Sequence, residues 1–297
     1  MAAPLRSFLF VPGDSDKKLA KVVHTPADAL ILDLEDAVSD GRKPLARELV
    51  SQFLSDIDTA GAGPRLWVRM NPVESDHALR DLAAVVAGKP AGIMVPKING
   101  PDDVVRVHHY LEALEVENGI ESGTIGLLPV ATETAIAPFR LGEFAAARVP
   151  RLYGLTWGAE DLSAALGAST NVGPTGEWAQ TYQLVRSMTL MGARAAGVEA
   201  VETLYVDVQD DEGLAVTSRR ARGEGFSGRI AIHPGQVDTI NAAFTPSSEE
   251  VDFASRVVDA FSGDVGTVAL DGKMLDAPHL AAAHRVLALA EVVRSTR

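Results

Sequence analysis

Two carboxylates stand out by their surroundings. Glu133 closes the segment LLPVATE, and Asp161 lies in LTWGAED. Each follows a short apolar run that reads as a buried strand, and the two runs are consecutive. Neighbouring strands of a parallel sheet would carry both acids to one point. The chain has no cysteine, so an all-oxygen site is expected, which suits Mg²⁺, with Mn²⁺ as the alternative, better than Zn²⁺. Magnesium takes one or two protein carboxylates and leaves its other positions to water and substrate oxygens. The ordinary alternative is that either acid caps the helix after it. Glu160 fits that capping or supporting role better than Asp161.

Other apolar runs also end in charged or turn-forming residues: Pro12-Gly13-Asp14, Asp33-Leu34-Glu35-Asp36, Arg69 with Asn71, Pro96-Lys97, and His233-Pro234. One such end means little; together they describe a charged rim. Arg69 could hold a carboxylate or thioester oxygen and stabilise an enolate, or it could pair with Asp33, Glu35 and Asp36 on the adjacent strand end. Those three acids would raise one another's pKa unless cations such as Lys43, Arg69 or Lys97 lie near. Glu35 and Asp36 are candidates for catalysis, with a supporting role given more weight. Lys97 could instead form a Schiff base with a carbonyl substrate, although crowding by acids opposes the lowered pKa this needs. Lys17 and Lys21 are four apart and share a helix face, giving either an anion site suited to phosphates or an ordinary solvated face. Asp276, in LDGKMLDAPH, reads as a helix N-cap before Pro278.

The elements that must position these residues are short β-branched runs alternating with helical stretches. Eight strands are expected: Ser7–Val11, Ala29–Leu32, Leu66–Met70, Gly92–Val95, Gly126–Val130, Leu152–Trp157, Thr203–Val208 and Arg229–Ile232. Helices are expected at Lys43–Leu54, His77–Ala87, Asp102–Glu115, Phe139–Ala147 and Trp178–Ala195. Nearly continuous apolar strands separated by helices indicate parallel βαβ units. Eight of them in 297 residues favour a closed (β/α)8 TIM barrel over an open doubly wound sheet. The stretch from Gly158 to Thr203 opens as a long polar loop, the kind that usually carries function. After Thr245 the rhythm changes. Residues 1–245 are assigned to a catalytic barrel, and 246–297 to a C-terminal helical lid or oligomerisation extension whose last helix runs to Arg297.

Bulk properties narrow the classes. A formal net charge of −13 opposes sequence-independent nucleic-acid binding. The lack of cysteine removes disulfides, thiolate zinc sites and cysteine nucleophiles together. No apolar stretch reaches the ~18–20 residues of a membrane span, and the N-terminus lacks a signal-peptide core. A soluble, cytoplasmic protein is expected.

The segments RSFLFVPG, ALILDLEDAV, WVRMNP, GIMVPKI, LLPVATETA, LTWGAEDLSAALG, GFSGRIAIHPGQ and DGKMLDAPH resemble the HpcH/HpaI aldolase/citrate lyase β-subunit family, in its CitE-like branch. They run in order from Arg6 to His279. Within the family the likeness is greatest to free-standing malyl-CoA, β-methylmalyl-CoA and citramalyl-CoA lyases. The resemblance implies a Mg²⁺-dependent lyase joining or parting a 2-oxo acid and an acyl-CoA. It implies the metal on Glu133 and Asp161, and Arg69 on the substrate carbonyl or carboxylate. It implies Phe10, Lys17 and Lys21 around coenzyme A, with Ile232 and His233 near its nucleotide or pantetheine. It also makes Asp276 an acid/base residue delivered by a neighbouring subunit, against the N-cap reading, and so implies a homo-oligomer, a trimer or hexamer. Phe10 stands where some members carry Tyr, so a hydroxyl contact is missing. Two other readings stay open: a citrate lyase β subunit acting on citryl thioesters within a complex, and the Schiff-base aldolase on Lys97.

Overall fold

The computed structural model describes residues 4–57, 63–263 and 266–295. Eight parallel strands form one sheet: β1 (Ser7–Pro12), β2 (Ala29–Asp33), β3 (Arg65–Arg69), β4 (Gly92–Val95), β5 (Gly126–Pro129), β6 (Gly154–Thr156), β7 (Glu199–Glu202) and β8 (Gly228–Ala231). Their order is β5-β4-β3-β2-β1-β8-β7-β6. Parallel bridges Leu127–Leu152 and Val130–Thr156 join the two ends, so the sheet closes into a TIM barrel.

Strand periodicity sorts the side chains. Phe8, Ile31, Trp67, Met94, Leu128, Val130, Val201 and Ile230 fill the lumen, whereas Leu9, Leu30, Leu32, Val68, Ile93, Leu127 and Leu155 face outward under the helices. Phe8, Trp67 and Tyr153 meet edge-to-face with centroids 5.3–6.0 Å apart and plug the barrel. Trp67 fits because Gly92 faces it: a Cβ there would lie 2.2 Å from the ring. Two residues further along the same faces come Phe10, Asp33 and Arg69, which therefore arrive at the rim together.

The helices α1 (Asp16–Val22), α2 (Lys43–Asp56), α3 (Ala78–Val85), α4 (Pro101–Glu117), α5 (Ala159–Leu166), α6 (Gln180–Ala195), α7 (Asp211–Glu224) and α8 (Val237–Phe244) surround the strands. The β5–β6 seam has bridges instead of a continuous ladder. Beside it, Arg151 and Glu115 of α4 form a fully buried double ion pair at 2.7 Å. Burial alone would raise the Glu115 pKa. The Arg151 guanidinium and the amides of Ile125 and Gly123 hold it low instead.

The structure departs from the sequence expectations in three places. The seventh strand is Glu199–Glu202, not Thr203–Val208. Thr203–Val208 leaves the barrel as a rim loop with Val206 61% exposed. The true strand hides in the sequence because it begins and ends in glutamate. Glu202 is buried only because the Trp157 indole, Arg186 and the Thr203 amide satisfy it. The segment expected as a helix at Phe139–Ala147 is a 3₁₀ coil over Ala137–Ala145. The polar stretch after Gly158 is not all loop, since it starts with α5.

The C-terminal extension contains α9 (Ser248–Ala260), a hairpin of β9 (Thr267–Leu270) and β10 (Lys273–Asp276), and α10 (Ala277–Ser295). Residues 296–297, to which the last helix was carried, lie outside the described ones. Ser247 and Glu250 form a reciprocal capping box on α9. Asp271 and Gly272, both with positive φ, make the tight hairpin turn. Ala254, Val257, Phe261, Leu275 and Ala283 pack into an apolar cluster distinct from the barrel's two. No helix among the described residues is long and apolar enough to cross a membrane.

Candidate active site

Asp33 ends β2 and is buried. Its two oxygens accept the Nε and Nη2 of Arg69 at 2.7 and 2.6 Å and the amides of Glu35 and Ala37 at 2.9 and 3.0 Å. This carboxylate is fully occupied and acts as the anchor of Arg69. The guanidinium lies 4.5 Å over the Phe10 ring, so Phe10 packs beneath Arg69 inside the mouth. Arg69 keeps Nη1 toward Glu35 Oε2 at 3.1 Å. Lys43 does not neutralise the acids. Its Nζ is buried on the carbonyls of Leu34 and Glu35 and on Asn71 Oδ1, and it fixes the backbone of the LDLED turn.

Lys97 follows β4 with φ +51°, a left-handed conformation that costs a non-glycine residue roughly 1–2 kcal/mol. Such strain persists where the surroundings enforce it. Here the twist sends the Lys97 amide to Glu133 Oε2 at 2.6 Å. The side chain crosses the mouth: its Nζ contacts Glu35 Oε1 and lies 2.8 Å from Asp36 Oδ2 and 3.3 Å from Asp161 Oδ1. One residue thus touches acids from three strand ends, those of β2, β5 and β6.

Glu133 is buried, while Asp161, in the first turn of α5, is partly open to solvent. Gly158 leaves room for Glu133: a Cβ there would lie 2.8 Å from Glu133 Cγ and 3.0 Å from its Oε1. The Gly158 amide donates to Thr132 Oγ1 at 3.1 Å, which ties the ends of β5 and β6 together. Burial first, then the charge of Asp161, push the Glu133 pKa up to about 8. Burial likewise raises Glu35 to about 7 against the pull of Arg69 and Lys97. Asp36 moves the other way: burial opposes, but hydrogen bonds from Lys97 and Glu35 hold it low. Glu133, held above its ordinary range by burial and by the charge of Asp161, gains from a cation beside it, and two carboxylates from adjoining strand ends fit a hard divalent one.

The remaining candidates sit apart from this cluster. Glu160 accepts from Asn171 Nδ2 at 2.8 Å and braces the following loop. Lys17 and Lys21 are exposed on α1 with no ion-pair partner among the described residues. Ile232 is partly exposed, and the His233 ring caps the 3₁₀ turn Pro234–Gln236 through the Gly235 amide. Asp276 is the last residue of β10, immediately before α10. It is exposed and bonded to His279 Nδ1 at 2.5 Å; its recorded bonds stay within the extension. Gly158 and Thr132 were not singled out by the sequence; the small residue before two acids in WGAED was the available signal.

A further group of metal-ligating types, His108, His109 and Glu112, lies on α4 outside the mouth. Arg151 Nε donates to His108 Nδ1 at 2.9 Å, so the neutral ring carries its proton on Nε2 and has no lone pair to offer there.

Residues 6–234 match the family described as HpcH/HpaI aldolase/citrate lyase, and residues 196–293 match the C-C bond lyases of the TIM-barrel fold. The chain belongs to the HpcH/HpaI aldolase/citrate lyase family. Its similarity to other members of this family runs end to end. It is 35% identical to citrate lyase subunit beta of Escherichia coli K12, across 97% of this chain and 93% of that one. It is 33% identical to (3S)-malyl-CoA thioesterase of Cereibacter sphaeroides, across 100% and 98%. A crystal structure of CitE from Mycobacterium tuberculosis in complex with magnesium, acetoacetate and coenzyme A is similar at a TM-score of 0.79 and 33% identity, covering 98% of this chain and 99% of that one.

Gly158→Ala should displace Glu133 while leaving the barrel folded. The expected result is a loss of about 10–100-fold in divalent-metal affinity, measured by calorimetry, with an unchanged far-UV circular dichroism spectrum.

Proposed function

We propose that this chain is a magnesium-dependent carbon–carbon lyase that interconverts a 3-hydroxyacyl-CoA, such as malyl-CoA or citramalyl-CoA, with a 2-oxo acid and an acyl-CoA. The observation that carries this reading is the convergence of Glu133 and Asp161 on Lys97 from adjoining strand ends, near enough for the charge of Asp161 to act on Glu133, beside an Arg69 held rigid by Asp33. Glu133 and Asp161 would hold Mg²⁺, or Mn²⁺ in its place. Bound there, the metal supplies Lewis acidity toward the oxygens of the 2-oxo acid.

The chain's own residues supply the rest. Asp33 fixes Arg69 at two nitrogens, so the guanidinium meets the substrate without reorganising. Its Nη1 is the group that faces an oxygen on which negative charge grows as the C–C bond breaks. Glu35 and Asp36 support that geometry through Arg69 and Lys97. Lys17 and Lys21 offer exposed positive charge to the phosphates of coenzyme A, with Phe10, Ile232 and His233 along the thioester arm. Asp276 holds the proton exchanged with the acyl-CoA carbon. Its bond to His279 holds it exposed at the start of α10, which suits delivery by residues 246–297 of one protomer to the barrel, residues 1–245, of another. A homo-oligomer, a trimer or hexamer in the cytoplasm, completes the reading.

The Schiff-base reading of Lys97 requires a neutral amine. The acids around it stabilise the ammonium instead and raise its pKa although burial opposes this. A second reading, a citryl-thioester lyase working within a complex, is favoured by the E. coli relative, and a thioesterase outcome by the C. sphaeroides one.

The deciding experiment incubates the purified chain with malyl-, β-methylmalyl-, citramalyl- and citryl-CoA and follows 2-oxo acid, acyl-CoA and free thiol. We expect equimolar 2-oxo acid and acyl-CoA, lost with EDTA, restored by Mg²⁺, and reduced at least about 100-fold in Glu133→Gln. Turnover that ignores EDTA would overturn the metal reading. Free thiol in place of acyl-CoA would make the enzyme a thioesterase. The subunit exchange has its own check. Mixing inactive Arg69→Met and Asp276→Ala protomers should restore part of the activity, whereas a lid serving its own barrel would also restore none beyond the sum of the two.

A further inference from the structure

The cation nearest the candidate metal ligands belongs to the chain itself. Lys97 Nζ lies 3.3 Å from Asp161 Oδ1, and the amide of the same residue holds Glu133 Oε2 at 2.6 Å. Its other partners are Glu35 and Asp36 on the end of β2. The ammonium is half-buried, with 28% of the side chain exposed, and it spans the mouth between two acid pairs. Five carboxylates meet here, those of Asp33, Glu35, Asp36, Glu133 and Asp161. Arg69 is committed to Asp33 through two nitrogens and to Glu35 through the third. Among the described residues, Lys97 is therefore the cation in contact with the Glu133–Asp161 side.

We propose that the Lys97 ammonium is a resident counter-ion of the Glu133–Asp161 pair, which a divalent metal displaces toward Glu35 and Asp36, so that Lys97 sets the metal affinity of the site. The inference rests on the metal reading above and goes beyond it. Two observations favour it over a fixed structural ion pair. The contact to Asp161, at 3.3 Å, is longer than that to Asp36, at 2.8 Å, so the ammonium already has a second home that it does not need to build. The amide that positions Glu133 belongs to the backbone, so the side chain can shift while Glu133 stays in place. A like charge this close to a bound dication opposes its binding. The lysine thereby offsets the repulsion between the two acids without metal, and raises the metal concentration needed to fill the site.

The test is a Mn²⁺ titration of the whole chain followed by the loss of the free-ion EPR signal, which reads binding without turnover. Lys97→Met should tighten Mn²⁺ binding at least about ten-fold, and Lys97→Gln, which keeps a hydrogen-bond donor for Glu35 and Asp36 and guards against misfolding of the first variant, should tighten it as well. Lys97→Arg, which keeps the charge, should stay within about two-fold of the wild type. Unchanged or weaker binding in both neutral variants overturns the counter-ion role and leaves the metal site standing. A wild-type chain that binds no Mn²⁺ overturns the metal reading and this inference with it.

Discussion

The bidentate pair between Asp33 and Arg69 is the contact from which the rest of the mouth is built. Asp33 uses all its oxygen capacity on Arg69 and on two amides of its own turn, so neither member can turn without breaking a buried charge pair, which is strongly destabilising. That rigidity fixes a positive charge on β3. It also lets Glu35 and Asp36 lie close together in the turn after β2, and it leaves Lys97 free to reach across toward β6. The charge excess that results is local. It is concentrated where the barrel is open and it asks for a further cation.

The barrel contributes order of arrival. Alternation along each strand places a ring plugged by Phe8, Trp67 and Tyr153 below and the charged ring above. The floor excludes water from beneath the acids, which raises the electrostatic stakes of each pair. Small residues then decide how close the ring can draw. Gly92 makes room for Trp67, and Gly158 makes room for Glu133. The extension is built differently. It has its own apolar cluster, and Asp276 and His279 pair on its surface at the start of α10.

Much of this was legible in the sequence, and for physical reasons. Continuous apolar runs such as ALILD announce strands covered on both sides, and their polar ends announce the rim. Seven of the eight strands overlap their expected positions. The seventh was hidden because its buried Glu202 is satisfied by Trp157 and Arg186, partners that lie far away along the chain. The hairpin in the extension was announced by Asp271-Gly272 between TVAL and KMLD, a turn signature that the sequence reading passed over. Acids of the LDLED turn look alike in sequence. Only the structure separates Asp33, locked on Arg69, from Glu35 and Asp36, shared with Lys97. Lys43, which reads as a counter-ion, instead holds carbonyl oxygens. No periodicity could announce the left-handed backbone at Lys97, because it depends on Glu133 accepting its amide.

The account stands on Glu133 and Asp161 gripping one ion together. Crystals soaked with Mn²⁺ and pyruvate, measured at the manganese absorption edge, locate that ion directly by anomalous scattering. The account predicts one strong peak bonded at roughly 2 Å to an oxygen of each of the two side chains. A peak on other residues, or side chains of Glu133 and Asp161 turned away from it, would contradict the proposed chemistry.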